Sequence, residues 1–290
     1  MSHPDLAIVI GSPADHPIRE EVERLAKGSG FEFVEKATHH EAADLLSAEP
    51  QLGSGRAFIL LCSQCVVHDS LPNAVTVLRA RRPDTGRVVV YAQDEWAGDV
   101  ALNCIHAGAY DYLVPGYILS ELSRHIIWAF QGGTPHAESP YTVYEGVSGL
   151  ATDAKVFIAM PYNYDGFQHY HLGVSVALTH LGLKPVLASG TMRPTFLRTE
   201  VHRLIDQCKL VIANVSQYSR EGVNANVIEE AQYAEDKGIP VLQIRCRDPR
   251  KGGRKTDIAD RLGLLRLDYY ACADLAVKLY FGIMPCLQTQ

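Results

Sequence analysis

Two adjacent glutamates, Glu229 and Glu230, follow Asn226 at the predicted start of a helix. Asparagine is a good N-cap, and a glutamate three residues later completes a capping box, which explains Glu229 structurally. Glu230 lies about 100° further round the helix, so the cap does not account for it. The alternatives for Glu230 are a solvated first-turn glutamate and a functional carboxylate. The helix dipole favours its ionised form, and such a carboxylate can attack the C1′ carbon of a ribose or stabilise an oxocarbenium-like state.

Further polar and aromatic residues follow predicted strands in the same half of the chain. Tyr162 comes shortly after the apolar run 156–159, where it is either a stacking surface for a base or an ordinary loop tyrosine. Asn214 can form a hydrogen bond with a ribose hydroxyl. Asn226 either binds the substrate or serves only as the helix cap. Since ligands bind at the carboxyl ends of strands in such sheets, we predict one group of substrate-binding residues: Met160, Pro161, Tyr162, Asn214, Ser216 and Asn226.

A basic segment begins at Arg245 and Arg247 and continues to Lys255. It is either a solvated loop or a lid over the crevice that binds nucleotide phosphates, with Arg245 and Arg247 as its first candidates. Neither a G-x-G-x-x-G nor a G-x4-G-K-[ST] pattern occurs, so the sequence indicates neither a Rossmann dinucleotide site nor a P-loop.

The elements that must position these residues alternate between strand and helix along the chain. This alternation predicts βαβ units and parallel sheets covered on both faces. We predict an α/β protein with two flavodoxin-like, three-layer αβα domains, at residues 1–131 and 154–290, joined by a Gly/Pro/Ser-rich linker at 132–153. Predicted strands are Leu6–Ile10, Phe58–Leu61, Val88–Tyr91, Tyr112–Val114, Val156–Ala159, Pro185–Ala188, Leu210–Ala213 and Val241–Ile244, with a short one possible at Tyr141–Tyr144. Predicted helices are Ile18–Lys27, His40–Ala48, Leu71–Arg81, Val100–Ala107, Ser120–Phe130, Tyr170–Leu181, Thr195–Gln207, Val227–Lys237 and Asp274–Phe281.

The segment Ala107–Leu113, with the sequence AGAYDYL, resembles the motif before the last helix of response-regulator receiver domains. The resemblance covers roughly residues 5–130. A working receiver holds Mg²⁺ with acidic residues and phosphorylates an aspartate, but the matching strand ends here read Gly11-Ser12, Cys62-Ser63, Tyr91-Ala92 and Val114-Pro115. The nearest acids, Asp15 and Asp69, lie too late, so we predict a receiver-like domain that cannot be phosphorylated. It serves for assembly, for docking a signalling partner, or for binding another small ligand.

Four ordered segments of the second half resemble the nucleoside 2-deoxyribosyltransferase-like and TIR-like superfamily over roughly residues 154–245. They are VFIAMPY from Val156, LVIANVS from Leu210, NANVIEEAQYA from Asn224, and GIPV from Gly238. In active relatives the helix glutamate acts in C–N glycosidic bond chemistry, and this resemblance carries that role to Glu230. Asn214 departs from the aspartate that relatives often carry, which bears on whether the site is catalytic. The resemblance also implies a homo-oligomer.

The charge, apolar runs and cysteines of the sequence limit the classes of partner that we expect. The net charge of −6 argues against general nucleic-acid binding, and no apolar run approaches the ~20 residues of a membrane span. No signal peptide is apparent, so we expect a cytoplasmic protein whose seven scattered cysteines remain thiols. Cys62-x-x-Cys65 lacks two further ligands at zinc spacing, and we predict no metal.

These observations predict an enzyme that cleaves an N-glycosidic bond of NAD or a related nucleotide, with no separate cofactor, regulated by the receiver-like domain. A non-catalytic nucleotide-binding adaptor is the first alternative. A deoxyribosyltransferase or nucleotide N-hydrolase of nucleotide metabolism is the second.

Overall fold

The computed structural model describes residues 5–11, 17–48, 56–66, 70–83, 86–92, 97–115, 119–131, 147–162, 164–188, 194–216, 223–247 and 265–287. The chain divides into two compact units, Met1–Pro140 and Tyr141–Gln290.

The first unit alternates strand and helix from β1 to α5. Its elements are β1 (Asp5–Ile10), α1 (Pro17–Gly28), β2 (Phe31–Lys36), α2 (His39–Ala48), β3 (Ala57–Cys62), α3 (Leu71–Arg81), β4 (Gly86–Tyr91), α4 (Gly98–His106), β5 (Asp111–Leu113) and α5 (Leu119–Gln131). The strands form a parallel five-stranded sheet in the order β2-β1-β3-β4-β5, which is the flavodoxin-like order. The whole of β3 is buried because helices cover both faces of the sheet.

One buried polar pair lies inside this unit. Asp111 at the start of β5 is 0% exposed, and its Oδ2 lies 2.6 Å from Nδ1 of His125 on α5. The other carboxylate oxygen accepts a hydrogen bond of 2.8 Å from the backbone N–H of Tyr112. The pair therefore ties the last helix to the last strand.

The second unit repeats this architecture. Its elements are β6 (Lys155–Ala159), α6 (Tyr164–His169), a π-helical turn (Tyr170–Val174), α7 (Ser175–His180), β7 (Lys184–Val186), α8 (Pro194–Ile205), β8 (Leu210–Asn214), α9 (Ala225–Asp236), β9 (Val241–Cys246), β10 (Leu265–Tyr269) and α10 (Cys272–Ile283). The sheet order is β10-β9-β8-β6-β7, all parallel, and counting from β6 gives the same order as in the first unit.

The two faces of the second sheet carry different helices. Residues of α8 and α9 share a buried cluster with Ala159 of β6, Ala213 of β8 and Val241 of β9. The π-helical turn and α7 pack against α10 instead. Gly173 permits that approach, since a Cβ there would meet Leu275 at 2.9 Å.

The structure confirms the predicted α/β class with parallel, helix-covered sheets. Two strands were missed: β2, which pairs only with β1 among the described strands, and β10, which pairs only with β9. The helix predicted from Tyr170 begins earlier, at Tyr164. Residues 141–144 lie outside the described residues, whereas Leu150, in the segment predicted as linker, bridges Leu287 within the second unit.

Candidate active site

Glu230 lies in the second turn of α9, next to the buried residues Val227, Ala231 and Ala234. Burial raises the pKa of its carboxyl group to about 8, and the neighbouring negative charge of Glu229 adds to that shift. The prediction that Glu230 is ionised in the first turn is therefore wrong. The dipole acts most strongly in the first turn of a helix. Because this helix begins at Ala225, Glu230 lies beyond that turn, and desolvation is the main influence on its pKa.

The N-cap of α9 is Asn224, not Asn226. The side chain of Asn224 accepts a hydrogen bond of 3.0 Å from the backbone N–H of Asn226, and Asn224 has extended backbone dihedral angles. With the helix starting two residues earlier than predicted, Glu229 is too late for a capping box. Glu229 instead pairs with Arg198 of α8 at 2.5 Å, on the exposed surface.

Tyr162 follows β6 and comes close enough to Glu230 for their charges to interact. Its hydroxyl group donates a hydrogen bond of 2.6 Å to the carbonyl of Ala188, beyond β7. Desolvation raises the pKa of Tyr162 to about 12, and the charge of Glu230 contributes to the rise. Met160 and Pro161 are buried, whereas Tyr162 is 48% exposed, so Tyr162 is the member of this segment that a ligand can reach.

Two residues beside Tyr162 were missed as site candidates by the sequence analysis. The ring of Phe167 on α6 lies 5.9 Å from that of Tyr162, and His171 stacks on Phe167 with ring centroids 6.1 Å apart. Phe167 and His171 are four residues apart, which is the spacing of one helix face, but the helix was predicted to begin only at Tyr170. Together Tyr162, Phe167 and His171 form an exposed aromatic surface, which we call the aromatic rim.

Asn214 and Ser216 are buried at the end of β8 and do not reach the surface of the site. Both are 2% exposed. The Oδ1 of Asn214 accepts a hydrogen bond from the backbone N–H of Ser216, and the hydroxyl of Ser216 accepts one from the backbone N–H of Cys246. Since Ala213 shares the α9 face, strand alternation places Asn214 on the opposite face. The bond between Ser216 and Cys246 joins the ends of β8 and β9.

Arg245 and Arg247 lie at the carboxyl end of β9. Arg245 donates two hydrogen bonds, of 2.8 and 2.9 Å, to Asp268 on the neighbouring strand β10. Arg247 lies 2.5 Å from the same carboxylate. Burial raises the pKa of Asp268, but the hydrogen bonds from both arginines outweigh it and hold that pKa below its ordinary value.

The structure thus brings Glu230 and Tyr162 together and adds the aromatic rim beside them. It places Asn214 and Ser216 in the strand framework and Asn226 on the exposed start of α9. A half-buried carboxyl group next to an exposed aromatic surface can hold a flat ring and act on the atom attached to it.

The carboxyl edge of the first sheet has a different character. Its strands end in Gly11, Cys62, Tyr91 and Val114, of which the last three are buried. The described residues that directly follow these strands are 11, 63–66, 92 and 114–115, and none of them carries a carboxylate. Asp15 and Asp69 lie outside the described residues.

The described part of the chain also bears on the predictions about metals, disulfides and membrane spans. No group of three or more His, Cys, Asp or Glu side chains that could hold a metal occurs there. The six cysteines whose state is described form no disulfide. No helix in these ranges is long and apolar enough to cross a bilayer.

Comparison with known proteins gives matches at the level of structure. No family model matches the chain, and no curated protein matches it. Among solved structures, a 2-desoxiribosyltransferase from Leishmania mexicana is 18% identical with a TM-score of 0.30, over 36% of this chain and 75% of that one. The CMP N-glycosidase BcmB from Clostridium botulinum is 16% identical with a TM-score of 0.35, over 43% and 96% respectively. FixJ-N is 16% identical with a TM-score of 0.31, over 44% and 94%. Each of these three matches covers less than half of the chain.

Proposed function

We propose that the chain is an enzyme that cleaves the N-glycosidic bond of NAD or a related nucleotide, with Glu230 beside the C1′ carbon. The observation that carries the proposal is the half-buried carboxyl group of Glu230, placed next to Tyr162 and the aromatic rim. Perturbed carboxyl groups in such positions are frequent in active sites. The four ordered sequence segments described above support the same chemistry.

The raised pKa defines how Glu230 would work. Without ligand, the carboxyl group holds its proton at neutral pH, because burial disfavours the anion. As the C1′–N bond breaks, its electron pair leaves with the base and positive charge develops at C1′. That charge lowers the pKa of Glu230, which releases its proton to solvent and stabilises the oxocarbenium-like carbon as a carboxylate. A water molecule then forms the new C1′–O bond, and the proton it loses goes to the departing base or, where that base leaves neutral as nicotinamide does, to solvent. Glu230 regains a proton from solvent after the product leaves.

The aromatic rim would hold the base. Tyr162 is fixed by its bond to the carbonyl of Ala188, and Phe167 extends the surface away from the strand end. Stacking on such a surface suits any flat heterocycle and does not distinguish one base from another.

The test is a turnover assay on the full chain with NAD, NADP, nucleoside monophosphates and deoxynucleosides, in which chromatography measures the released base. We expect Glu230→Gln to lower turnover by at least about 10²-fold, in the range of lost acid–base or nucleophilic catalysis. Glu229→Gln is the matched control, since it changes the adjacent, exposed glutamate. In the wild type, kcat/KM should rise with pH to a plateau above about pH 8, because the carboxylate is the stabilising form.

Equal turnover by the Glu230→Gln and Glu229→Gln variants would refute the role of Glu230. Adding a second free base to the assay separates hydrolysis from transfer: a new nucleoside would identify a deoxyribosyltransferase-type reaction.

A non-catalytic nucleotide-binding adaptor is the second candidate. Asn214, which stands where relatives often carry aspartate, supports it, because the Oδ1 of Asn214 is already bonded to Ser216. Ligand-induced thermal stabilisation without release of base would favour this candidate over the enzyme.

The first unit would then control assembly or activity, either in a homo-oligomer or with a signalling partner. The described residues directly after β1, β3, β4 and β5, which are 11, 63–66, 92 and 114–115, carry no carboxylate, and this supports control by something other than phosphorylation of an aspartate. Specific activity that rises with protein concentration, alongside a larger species in light scattering, would indicate control through self-association.

A further inference from the structure

Three arginines converge on one carboxylate at the edge where β9 pairs with β10. Besides Arg245 and Arg247, Arg266 approaches Asp268, with its Nε 3.5 Å from Oδ1. We call Arg245, Arg247 and Arg266 the arginine cluster. Arg245 and Arg247 share the single negative charge of Asp268, so these three side chains together carry a net charge of +1. Each guanidinium carries five N–H donors, and two of them offer more donors than one carboxylate can accept.

A buried amide lies next to the arginine cluster. Gln243 is 0% exposed, and neither its Oε1 nor its Nε2 has a hydrogen-bond partner. In the register of the sheet, Gln243 pairs with Arg266 and Arg245 pairs with Asp268. These four side chains therefore share one face of the sheet, since register partners and alternate residues point the same way.

That face is the one covered by α9. Val241, two residues before Gln243, belongs to the buried cluster that contains Val227 and Ala231 of α9. The four side chains of Gln243, Arg245, Arg266 and Asp268 are consequently on the same side of the sheet as Glu230. An unsatisfied buried amide lowers stability, and a role in binding is one physical reason for such a group to persist.

We propose that the arginine cluster and Gln243 bind a phosphate group of the substrate, so that the site selects nucleotides over nucleosides. This inference rests on the proposed function, which places the sugar at Glu230. From β6, where Tyr162 stands, to β10 the sheet spans three strand spacings, about 14 Å. A base on the aromatic rim, a ribose at Glu230 and a phosphate at the arginine cluster would follow one line along this edge.

Asp268 has a defined part in this arrangement. Without ligand it holds the guanidinium groups in place, and a phosphate would compete with it for the same donors. Phosphate offers more acceptor oxygens than a carboxylate and suits bidentate arginine contacts.

The experiment is calorimetric titration of the full-length protein with adenosine, AMP, NAD and inorganic phosphate at one fixed ionic strength. We expect AMP to bind at least tenfold more tightly than adenosine, with Arg247→Gln and Gln243→Leu each removing most of that difference. Asp268→Asn should strengthen binding of inorganic phosphate, because it removes the competing charge. Arg203→Gln is the matched control, since Arg203 pairs with Glu200 on the exposed surface of α8.

Equal affinity for AMP and adenosine, unchanged in Arg247→Gln, would overturn the inference. So would weaker phosphate binding in Asp268→Asn in a protein that is still folded by circular dichroism. NAD that binds more tightly than AMP would indicate a dinucleotide, and AMP that binds as tightly as NAD would indicate a monophosphate; both keep the phosphate contact.

The two proposals fail separately. Phosphate-dependent binding without any turnover would support the phosphate site and refute the enzymatic function. Turnover that depends on Glu230, together with equal affinity for AMP and adenosine, would support the enzymatic function and refute the phosphate site.

Discussion

The two units share one sheet order but treat their buried carboxyl groups in opposite ways. In the first, Asp111 is fully buried and bonded to His125 and to the backbone N–H of Tyr112. In the second, Glu230 is desolvated beside another glutamate, and its pKa rises to about 8. The first arrangement fixes a helix to a strand, whereas the second holds a carboxyl group in surroundings that disfavour its anion. One topology therefore places a carboxyl group either in a bonded pair or in a desolvated position that suits the proposed chemistry.

The strand ends show the same contrast. The first sheet ends in the buried side chains of Cys62, Tyr91 and Val114, while the second carries exposed Tyr162 and the arginine cluster at its carboxyl edge. Ligands of flavodoxin-like sheets bind at this edge. This contrast favours the second unit as the place for the proposed ligand site.

The largest expected effect comes from breaking the buried pair of the first unit. Asp111→Ala should lower the free energy of unfolding by about 3 kcal/mol, because it leaves a buried imidazole and a buried N–H without this acceptor. Hydrogen exchange followed by mass spectrometry should show faster exchange in peptides of α5 and β5, with peptides of the second unit unchanged.

Asp111→Asn is the control for that prediction, since it keeps an acceptor for the N–H of Tyr112 and should lose less stability. A loss below about 1 kcal/mol in Asp111→Ala would contradict a structural role for the pair.

In the second unit, replacing Glu230 should have the opposite sign. The pKa in the folded state, about 8, lies above that of an exposed glutamate, so the folded state binds more protons between about pH 4.5 and pH 8. Stability from this group is present at low pH and is lost as the pH rises through that window. Glu230→Gln should therefore match wild type near pH 4.5 and exceed it by about 2 kcal/mol at pH 8.5, after allowance for partial solvent contact.

Urea unfolding at both pH values measures this difference, with Glu229→Gln as the control, which keeps the Glu230 carboxyl group and should still lose stability as the pH rises. A Glu230→Gln variant less stable than wild type at pH 8.5 would mean that the carboxylate makes a stabilising contact in the folded state.

The sequence predicts those features of the fold and the site that short, contiguous patterns of residues encode. Apolar runs such as β3 and β8 are buried on both faces, and their composition identifies them. The edge strand β2 has the sequence FEFVEK, in which charged residues alternate with apolar ones. It was not predicted because it lacks the continuous apolar run that identifies the central strands. The four sequence segments identified Glu230 as a candidate, but its pKa depends on packing that no local pattern encodes.

The charged neighbours of the site were harder still to predict. Arg245 and Asp268 are 23 residues apart in the chain and meet only because β9 and β10 pair in register. Gln243 gave no sequence signal, since a single glutamine in a strand is ordinary until its burial is known.

The smallest expected effect tests where α9 begins. Asn224→Ala should cost about 1 kcal/mol of unfolding free energy, because its side chain satisfies the backbone N–H of Asn226 at the helix N-terminus. Asn226→Ala should cost less than about 0.5 kcal/mol, since its side chain is exposed inside the first turn, where alanine has the higher helix propensity. Denaturant titration of both variants decides whether Asn224 or Asn226 is the N-cap. A larger loss of unfolding free energy in Asn226→Ala would support Asn226, as the sequence predicted. Because Glu230 lies on this helix, Asn224→Ala should also raise KM slightly if the first turn frays, whereas Asn226→Ala should leave KM unchanged.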